Sequence, residues 1–198
     1  MVRGASRAPR VVRAAFVLAL ASGCGAVDPL GRAGVEFRPP SEWKSVPAET
    51  WPVPGRAIAA WSGPESSSLV VYQTLAIPGG RAGALAEGLA NRLTGLPGVR
   101  VLSRGTETVS GFEAAKVEAV GQGTGSGLAP SGTGTPIAAP GTTLVPTRRV
   151  VYVVPRAGDT LTVVWHAPEA NAAALESHLK SALAALRIRG RGLTTSTY

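Results

Sequence analysis

The sequence predicts an α+β domain in which a central antiparallel sheet is covered on both sides. Residues 150–154 and 161–165 are rich in β-branched and aromatic side chains, and the Gly/Asp/Pro turn at residues 155–159 joins them as a β-hairpin. The first run is apolar at every position, so both faces of this strand are expected to be buried. After Trp165 the apolar residues recur at spacings of three and four, which predicts one continuous helix over Ala172, Leu175, Leu179, Ala182, Leu183 and Leu186.

The first 23 residues are predicted to be a lipoprotein signal peptide. Four arginines precede the apolar run of residues 14–21, in the order of a secretory signal, and this run is shorter than the about 20 residues that cross a bilayer. It ends in Leu20-Ala21-Ser22-Gly23-Cys24, which resembles the lipobox of bacterial lipoproteins, with Ala21 in place of the more common leucine. In a lipobox the cysteine is lipidated and becomes the mature N-terminus. Cys24 is the only cysteine, and an unpaired thiol is otherwise a liability in an exported protein. The alternative is an ordinary secretion signal cleaved after Ala26, which leaves no anchor.

The composition that follows the signal fits one exported globular domain. The formal net charge of +8 falls to +4 when the four arginines of the signal are removed, and the remaining arginines are dispersed along the chain. So modest an excess of positive charge argues against an extended basic surface, and we expect no nucleic-acid partner.

The elements before the hairpin follow from the positions of apolar runs, glycines and prolines. Strands are predicted at residues 35–38, 57–61, 69–75, 99–102, 106–109 and 112–120, and a helix with Gly95 at its C-terminal cap is predicted at residues 81–94. Phe37 is expected to face inward, and Trp43 follows a proline-fixed turn and caps the sheet. Lys116 and Glu118 alternate with apolar residues, so one face of their strand is expected to be exposed to solvent.

Three segments are expected to lie outside the packed domain of residues 35–189. Residues 24–34 are small and irregular, as in a tether between a lipid and a domain. Residues 121–146 consist mostly of Gly, Ser, Thr and Pro without charge, so they bury too little surface to offset the entropy of ordering. We expect a flexible insertion there between two strands. Residues 190–198 are expected to be a disordered tail.

Two short motifs and the order of the elements carry a resemblance to a known family. The motifs are F-R-P-P-S-E-W at residues 37–43 and T-V-S-G-F-E-A-A at residues 108–115, and the hydrophobic hairpin with its C-terminal helix completes the layout. This layout resembles the PsbP-like superfamily, which includes bacterial lipoproteins of the LpqN-like kind. The resemblance implies a central antiparallel sheet with helices on both faces, an α/β/α sandwich. It also implies a protein that binds other proteins or sits in envelope assemblies, without a catalytic motif. The insertion at residues 121–146 departs from the compact family pattern.

Residue types that most enzymes use are scarce in this chain. It has two histidines, and His166 lies at the opposite end of a predicted strand from Asp159, about 20 Å away. No Gly-x-Ser-x-Gly elbow occurs, and His178 lacks the i, i+4 histidine of a zinc-binding helix. The glycines of residues 121–127 are followed by prolines instead of a helix, which argues against a phosphate loop. We therefore expect no enzyme, no metal and no cofactor, and we expect both histidines to be surface or hydrogen-bonded.

These observations predict a lipid-anchored, extracytoplasmic binding protein of the bacterial cell envelope that docks another envelope protein. Trp51, in a proline-rich loop, and Trp43 are the candidate partner-binding residues, because tryptophan is enriched at the centres of interfaces. The alternative function is a carrier of a small apolar ligand or lipid, held in a cavity between the sheet and the helices.

Overall fold

A computed structural model describes residues 28–47, 57–123 and 144–189. The strands within these ranges are β1 (Val35–Phe37), β2 (Lys44–Val46), β3 (Ala57–Ser62), β4 (Ser68–Leu75), β5 (Arg100–Val109), β6 (Phe112–Gly123), β7 (Val145–Pro155), β8 (Asp159–Pro168) and β9 (Leu186–Ile188). The helices are α1 (Pro29–Arg32), α2 (Ala82–Thr94), α3 (Glu169–Ala172) and α4 (Glu176–Ala185). The predicted signal peptide, Cys24, Trp51 and the predicted tail lie outside the described residues.

Seven strands form one antiparallel sheet around the predicted hairpin. The order is β2-β3-β4-β8-β7-β6-β5, while β1 and β9 pair with each other in a separate two-stranded sheet. Strands β7 and β8 lie at the centre, because their side chains are apolar on both faces and need cover on both. The predicted hairpin and its central position are confirmed.

Helices cover both faces of the sheet, as predicted. On one face α3 and α4 pack against alternate residues of β7 and β8, including Tyr152 and Trp165. On the other face the alanines of α2 pack against Val151 and Val153 of β7 and against β6. We call these the α4 face and the α2 face. In α2, Ala82, Ala86, Ala90 and Leu93 are buried, and small side chains spaced four apart let the helix approach the sheet closely.

Of two other predicted strand pairs, one forms as expected and the other is a single strand. The pair at residues 57–61 and 69–75 is a hairpin, as predicted, and forms β3 and β4. The two strands predicted at residues 99–102 and 106–109 are a single strand, β5, whose register shifts between Val101 and Ser103. A bulge at that point absorbs one residue without ending the strand.

The single C-terminal helix that we predicted is broken and ends early. α3 and α4 are separated at residues 173–175, and Leu186 has an extended backbone and belongs to β9. The apolar stripe still faces the core, since Leu175, Leu179 and Leu186 are each less than 5 % exposed. Pairing of Leu186 with Phe37 of β1 replaces the last helical turn, and a local period carries no information about such a distant partner.

The predicted tether and insertion are both shorter than the sequence indicated. Asp28 caps α1 by accepting a hydrogen bond from the Leu30 amide, and Ala33 is fully buried. Residues 28–34 therefore belong to the folded domain. Strand β6 extends to Gly123 and β7 begins at Val145, so both ends of the predicted insertion are strand. Among the described residues, no helix is long and apolar enough to cross a membrane.

A buried ion pair joins the segments beside β1 and β9 to the central hairpin. In the turn between β7 and β8, the Arg156 guanidinium donates to both carboxylate oxygens of Asp159, at 2.6 Å and 2.5 Å. It also donates to the Ala33 carbonyl at 2.8 Å and the Arg189 carbonyl at 3.2 Å. Gly34, whose φ of +66° suits glycine, accepts from the Arg189 amide. The pair thereby holds β1 and β9 against the main sheet.

Candidate functional site

Trp51 and Trp43 are the two tryptophans that the sequence predicted to bind a partner, and the structure describes only Trp43. Trp51 lies outside the described residues, so its role stays a prediction. Trp43 is 5 % exposed and lies in the core of the α4 face. A side chain added at Gly63 would meet the Trp43 ring at 2.9 Å, which shows how closely the ring is packed. In this position Trp43 stabilises the fold and offers a partner almost no surface.

A charged cleft lies on the α4 face, between α4 and strands β5, β6 and β7. Its charged residues, which define the charged cleft, are Glu107, Lys116, Glu118, Arg148, Glu176 and Lys180. The cleft exists because α4 does not reach across to β6, so the alternating positions of β6 that point to this face are only partly covered. Lys116 and Glu118 are partly exposed, which confirms the prediction that this face of the strand is in contact with solvent.

Each charge of the cleft has a partner of opposite sign. The Lys116 ammonium lies 2.7 Å from the Glu107 carboxylate and 5.7 Å from the centre of the Tyr152 ring. Arg148 donates to Glu118. On α4, Lys180 and Glu176 are one turn apart, with 2.9 Å between nitrogen and oxygen. Three cations therefore balance three carboxylates above an aromatic floor.

The pKa shifts in the cleft move its groups away from neutral pH. Burial acts to lower the pKa of Lys116, but its hydrogen bond to Glu107 and the nearby Tyr152 outweigh burial, so the pKa is raised. The hydrogen bond from Lys180, with Arg148 and Lys116 across the cleft, lowers the pKa of Glu176. Burial raises the pKa of the Tyr152 hydroxyl. A general acid or base works best with a pKa near the working pH, and these shifts move Lys116, Glu176 and Tyr152 away from it.

The cleft encloses little space. The space between its charged and apolar residues, which include Trp165 and Leu179, measures about 70 Å³. Sites for small molecules usually measure about 300–1,000 Å³. This space is therefore too small for a lipid chain.

The two histidines are hydrogen-bonded, as the sequence predicted. His166 is buried, and its Nδ1 lies 3.2 Å from the Ser68 hydroxyl oxygen. His178 is on the surface, with its Nδ1 3.1 Å from the Glu42 carboxylate. The pKa of Glu42 is lowered by a backbone hydrogen bond and by His178. No group of three or more metal-ligating side chains is found in the described part of the chain.

Part of the cleft was visible in the sequence and part was not. The alternation of Lys116 and Glu118 with apolar residues marked one strand of it. Arg148 is not part of an alternation of charged and apolar residues, so the sequence did not mark it. Glu176 lies on a helix, and the direction in which the helix presents this side chain depends on how the helix packs on the sheet. Only the packing of α4 beside β7 brings these side chains together.

Comparison with known proteins identifies the fold. No protein-family model matches the chain, and no curated protein matches it in sequence. The solution structure of cyanobacterial PsbP (CyanoP) from Synechocystis sp. PCC 6803 is similar, with a TM-score of 0.50 and 11 % identity over 80 % of this chain and 88 % of that chain. The crystal structure of LpqN, involved in cell envelope biogenesis of Mycobacterium tuberculosis, gives a TM-score of 0.48 and 13 % identity over 77 % and 82 % of the two chains. The chain has the PsbP-like fold, as the motifs of the sequence implied.

Proposed function

We propose that the protein is a non-catalytic binding protein of the bacterial cell envelope, anchored on the extracytoplasmic side by a lipid on Cys24, and that it docks another envelope protein. The charged cleft is the observation that carries the docking part of this proposal. Its charges are balanced in sign, partly exposed and already paired, and the space between them measures about 70 Å³. The chemistry that fits such a surface is a protein segment with charges of both signs, which can exchange ion pairs with the cleft.

The anchor rests on the sequence of the first 24 residues. A basic segment, an apolar run and small residues before the sole cysteine are the features that a lipoprotein signal requires. A single acyl chain binds membranes only weakly, so stable anchoring takes two lipid chains or a second signal. Trp51 remains a second proposed contact with the partner.

The anchor is tested by the intact mass and the fractionation of the mature protein from a bacterial host, beside a Cys24→Ser variant. We expect a diacylated Cys24 in the membrane fraction and its loss in the variant. Cleavage after Ala26 with release to the medium would contradict the anchor. It would leave the docking proposal to be tested on a secreted protein.

The docking surface is tested by exchanging the charges of one exposed pair. Glu176→Lys combined with Lys180→Glu keeps the net charge and changes stability little, since the two side chains are 57 % and 74 % exposed. The readout is photo-crosslinking in the envelope from position 184, one helical turn beyond Lys180. We expect the exchange to reduce crosslinking to the partner about tenfold, the effect of about 1.4 kcal/mol in binding free energy.

A matched exchange on the opposite face provides the control. Glu87 and Arg104 form a pair of similar exposure, 56 % and 51 %, so Glu87→Arg combined with Arg104→Glu should leave crosslinking unchanged. Equal crosslinking in both exchange variants and the wild type would exclude the charged cleft as the docking surface. A lipid retained by the purified protein in native mass spectrometry would instead support the carrier function.

A further inference from the structure

A second group of polar side chains lies on the α2 face, across the sheet from the charged cleft. Arg149 of β7 is opposite His166 of β8, and His166 is opposite Ser68 of β4. The three residues thus form one row across the centre of the sheet. Tyr72 of β4 lies on the same face and is close enough to Arg149 for their charges to interact.

Arg149 has no carboxylate partner among the described residues. Its neighbour Arg148 points to the other face and pairs with Glu118. In the sequence, residues 124–143 between β6 and β7 contain no acidic residue. Tyr72 and His166, on the same face, interact electrostatically with Arg149.

Arg149 is half-buried and has no carboxylate partner among the described residues, which favours an anion beside it. Burial lowers the pKa of Arg149 to about 10, because the charged form is held away from water. Burial and the charge of Arg149 hold the pKa of His166 well below its usual range, so the imidazole is neutral and adds no competing charge. Burial also raises the pKa of Tyr72, which keeps its hydroxyl protonated and able to donate.

We propose that Arg149 and Tyr72, supported by the hydrogen-bonded pair of His166 and Ser68, bind the phosphate group of a ligand. The planar guanidinium can donate two parallel hydrogen bonds to one oxyanion, and the Tyr72 hydroxyl can supply a third donor. His166 and Ser68 are buried behind them and hold the row in place without introducing a carboxylate. The phosphate is either a free ion or the headgroup of an anionic phospholipid.

The test compares two adjacent arginines that point to opposite faces. Thermal unfolding of the wild type, Arg149→Gln and Arg148→Gln is measured with and without inorganic phosphate, at ionic strength matched with sodium chloride. For a Kd near 1 mM, 10 mM phosphate should raise the Tm of the wild type and of Arg148→Gln by about 3 °C. Arg149→Gln should show no rise.

Two further measurements decide between the phosphate sources and exclude a purely structural role. Flotation with vesicles of phosphatidylglycerol or of phosphatidylcholine tests whether a lipid headgroup binds, and it is done with the Cys24→Ser variant. Binding to phosphatidylglycerol but not to phosphatidylcholine, which is lost in Arg149→Gln, identifies a lipid as the source of the phosphate. Without phosphate, Arg149→Gln should be at least as stable as the wild type, because it removes a half-buried charge that has no carboxylate partner among the described residues.

Either of two results overturns the proposal. One is the absence of both a phosphate effect and vesicle binding in the wild type. The other is an equal phosphate response in Arg149→Gln and the wild type, which would indicate an adventitious ion only, and a purely structural role of Arg149 if the variant is also less stable. Arg149→Lys keeps the charge but loses the planar fork, so it should respond to phosphate more weakly than the wild type. It serves as the test variant if Arg149→Gln does not fold.

Discussion

His166 shows how the environment of one residue sets a pH dependence for the whole domain. The side chain is 4 % exposed, and burial, followed by the positive charge of Arg149, holds its pKa well below 6.5. In the unfolded chain a histidine titrates near 6.5. Below that pH the unfolded state therefore binds a proton that the folded state does not, and stability must fall as the pH falls.

We expect the free energy of unfolding to decrease between pH 6.5 and pH 5, with a limiting contribution from His166 of about 1.4 kcal/mol per pH unit. Urea unfolding at several pH values measures it. His166→Gln should flatten this decrease, whereas His178→Gln should retain it, because His178 is on the surface beside Glu42. If both variants kept the wild-type slope, the imidazole of His166 would be accessible to protons in the folded state.

At the scale of elements, the sequence predicted best those segments whose own side chains decide their structure. Strands β7 and β8 are apolar on both faces, so no position in the sheet other than the centre would bury them. Helix α2 carries a regular stripe of small and apolar residues and ends at Gly95. In these elements, local pattern and tertiary packing agree.

Prediction failed where a distant strand decides the structure. Leu186 continues the period of a helix, yet β1, about 150 residues earlier in the chain, pairs with it and draws it into β9. The charged cleft is similar, since Lys116 and Glu118 were visible as an alternation but their position beside Glu176 depends on where α4 lies. Arg149 could not be identified from the sequence, because no local pattern shows that this half-buried arginine has no carboxylate partner among the described residues.

At the scale of the whole molecule, the seven-stranded sheet carries separate candidate sites on its two faces. The charged cleft lies on the α4 face and the Arg149 row on the α2 face. Arg148 and Arg149 are neighbours in β7, yet strand alternation sends one to each site. A partner in the cleft would therefore not cover the α2 face, and the two proposals can fail independently.

The segments beside β1 and β9 are attached to this sheet through Arg156. The Arg156 side chain is 1 % exposed, and it bonds Asp159 together with the carbonyls of Ala33 and Arg189. Gln73 also donates to Asp159, at 2.6 Å. One guanidinium therefore connects the segment before β1, the segment after β9 and the turn of the central hairpin.

We expect Arg156→Met to lower the free energy of unfolding by about 3–5 kcal/mol, because removing one partner of a buried ion pair leaves the other charge poorly compensated. Arg156→Met combined with Asp159→Asn should lose less, since no buried charge is then left. Arg104→Met is the matched control: its pair with Glu87 is half exposed, so the loss should be below about 1 kcal/mol. Chemical denaturation of the three variants measures these differences. A loss below 1 kcal/mol in Arg156→Met would show that β1 and β9 hold to the sheet without the ion pair, through their own ladder and the buried side chains of Val35 and Leu186.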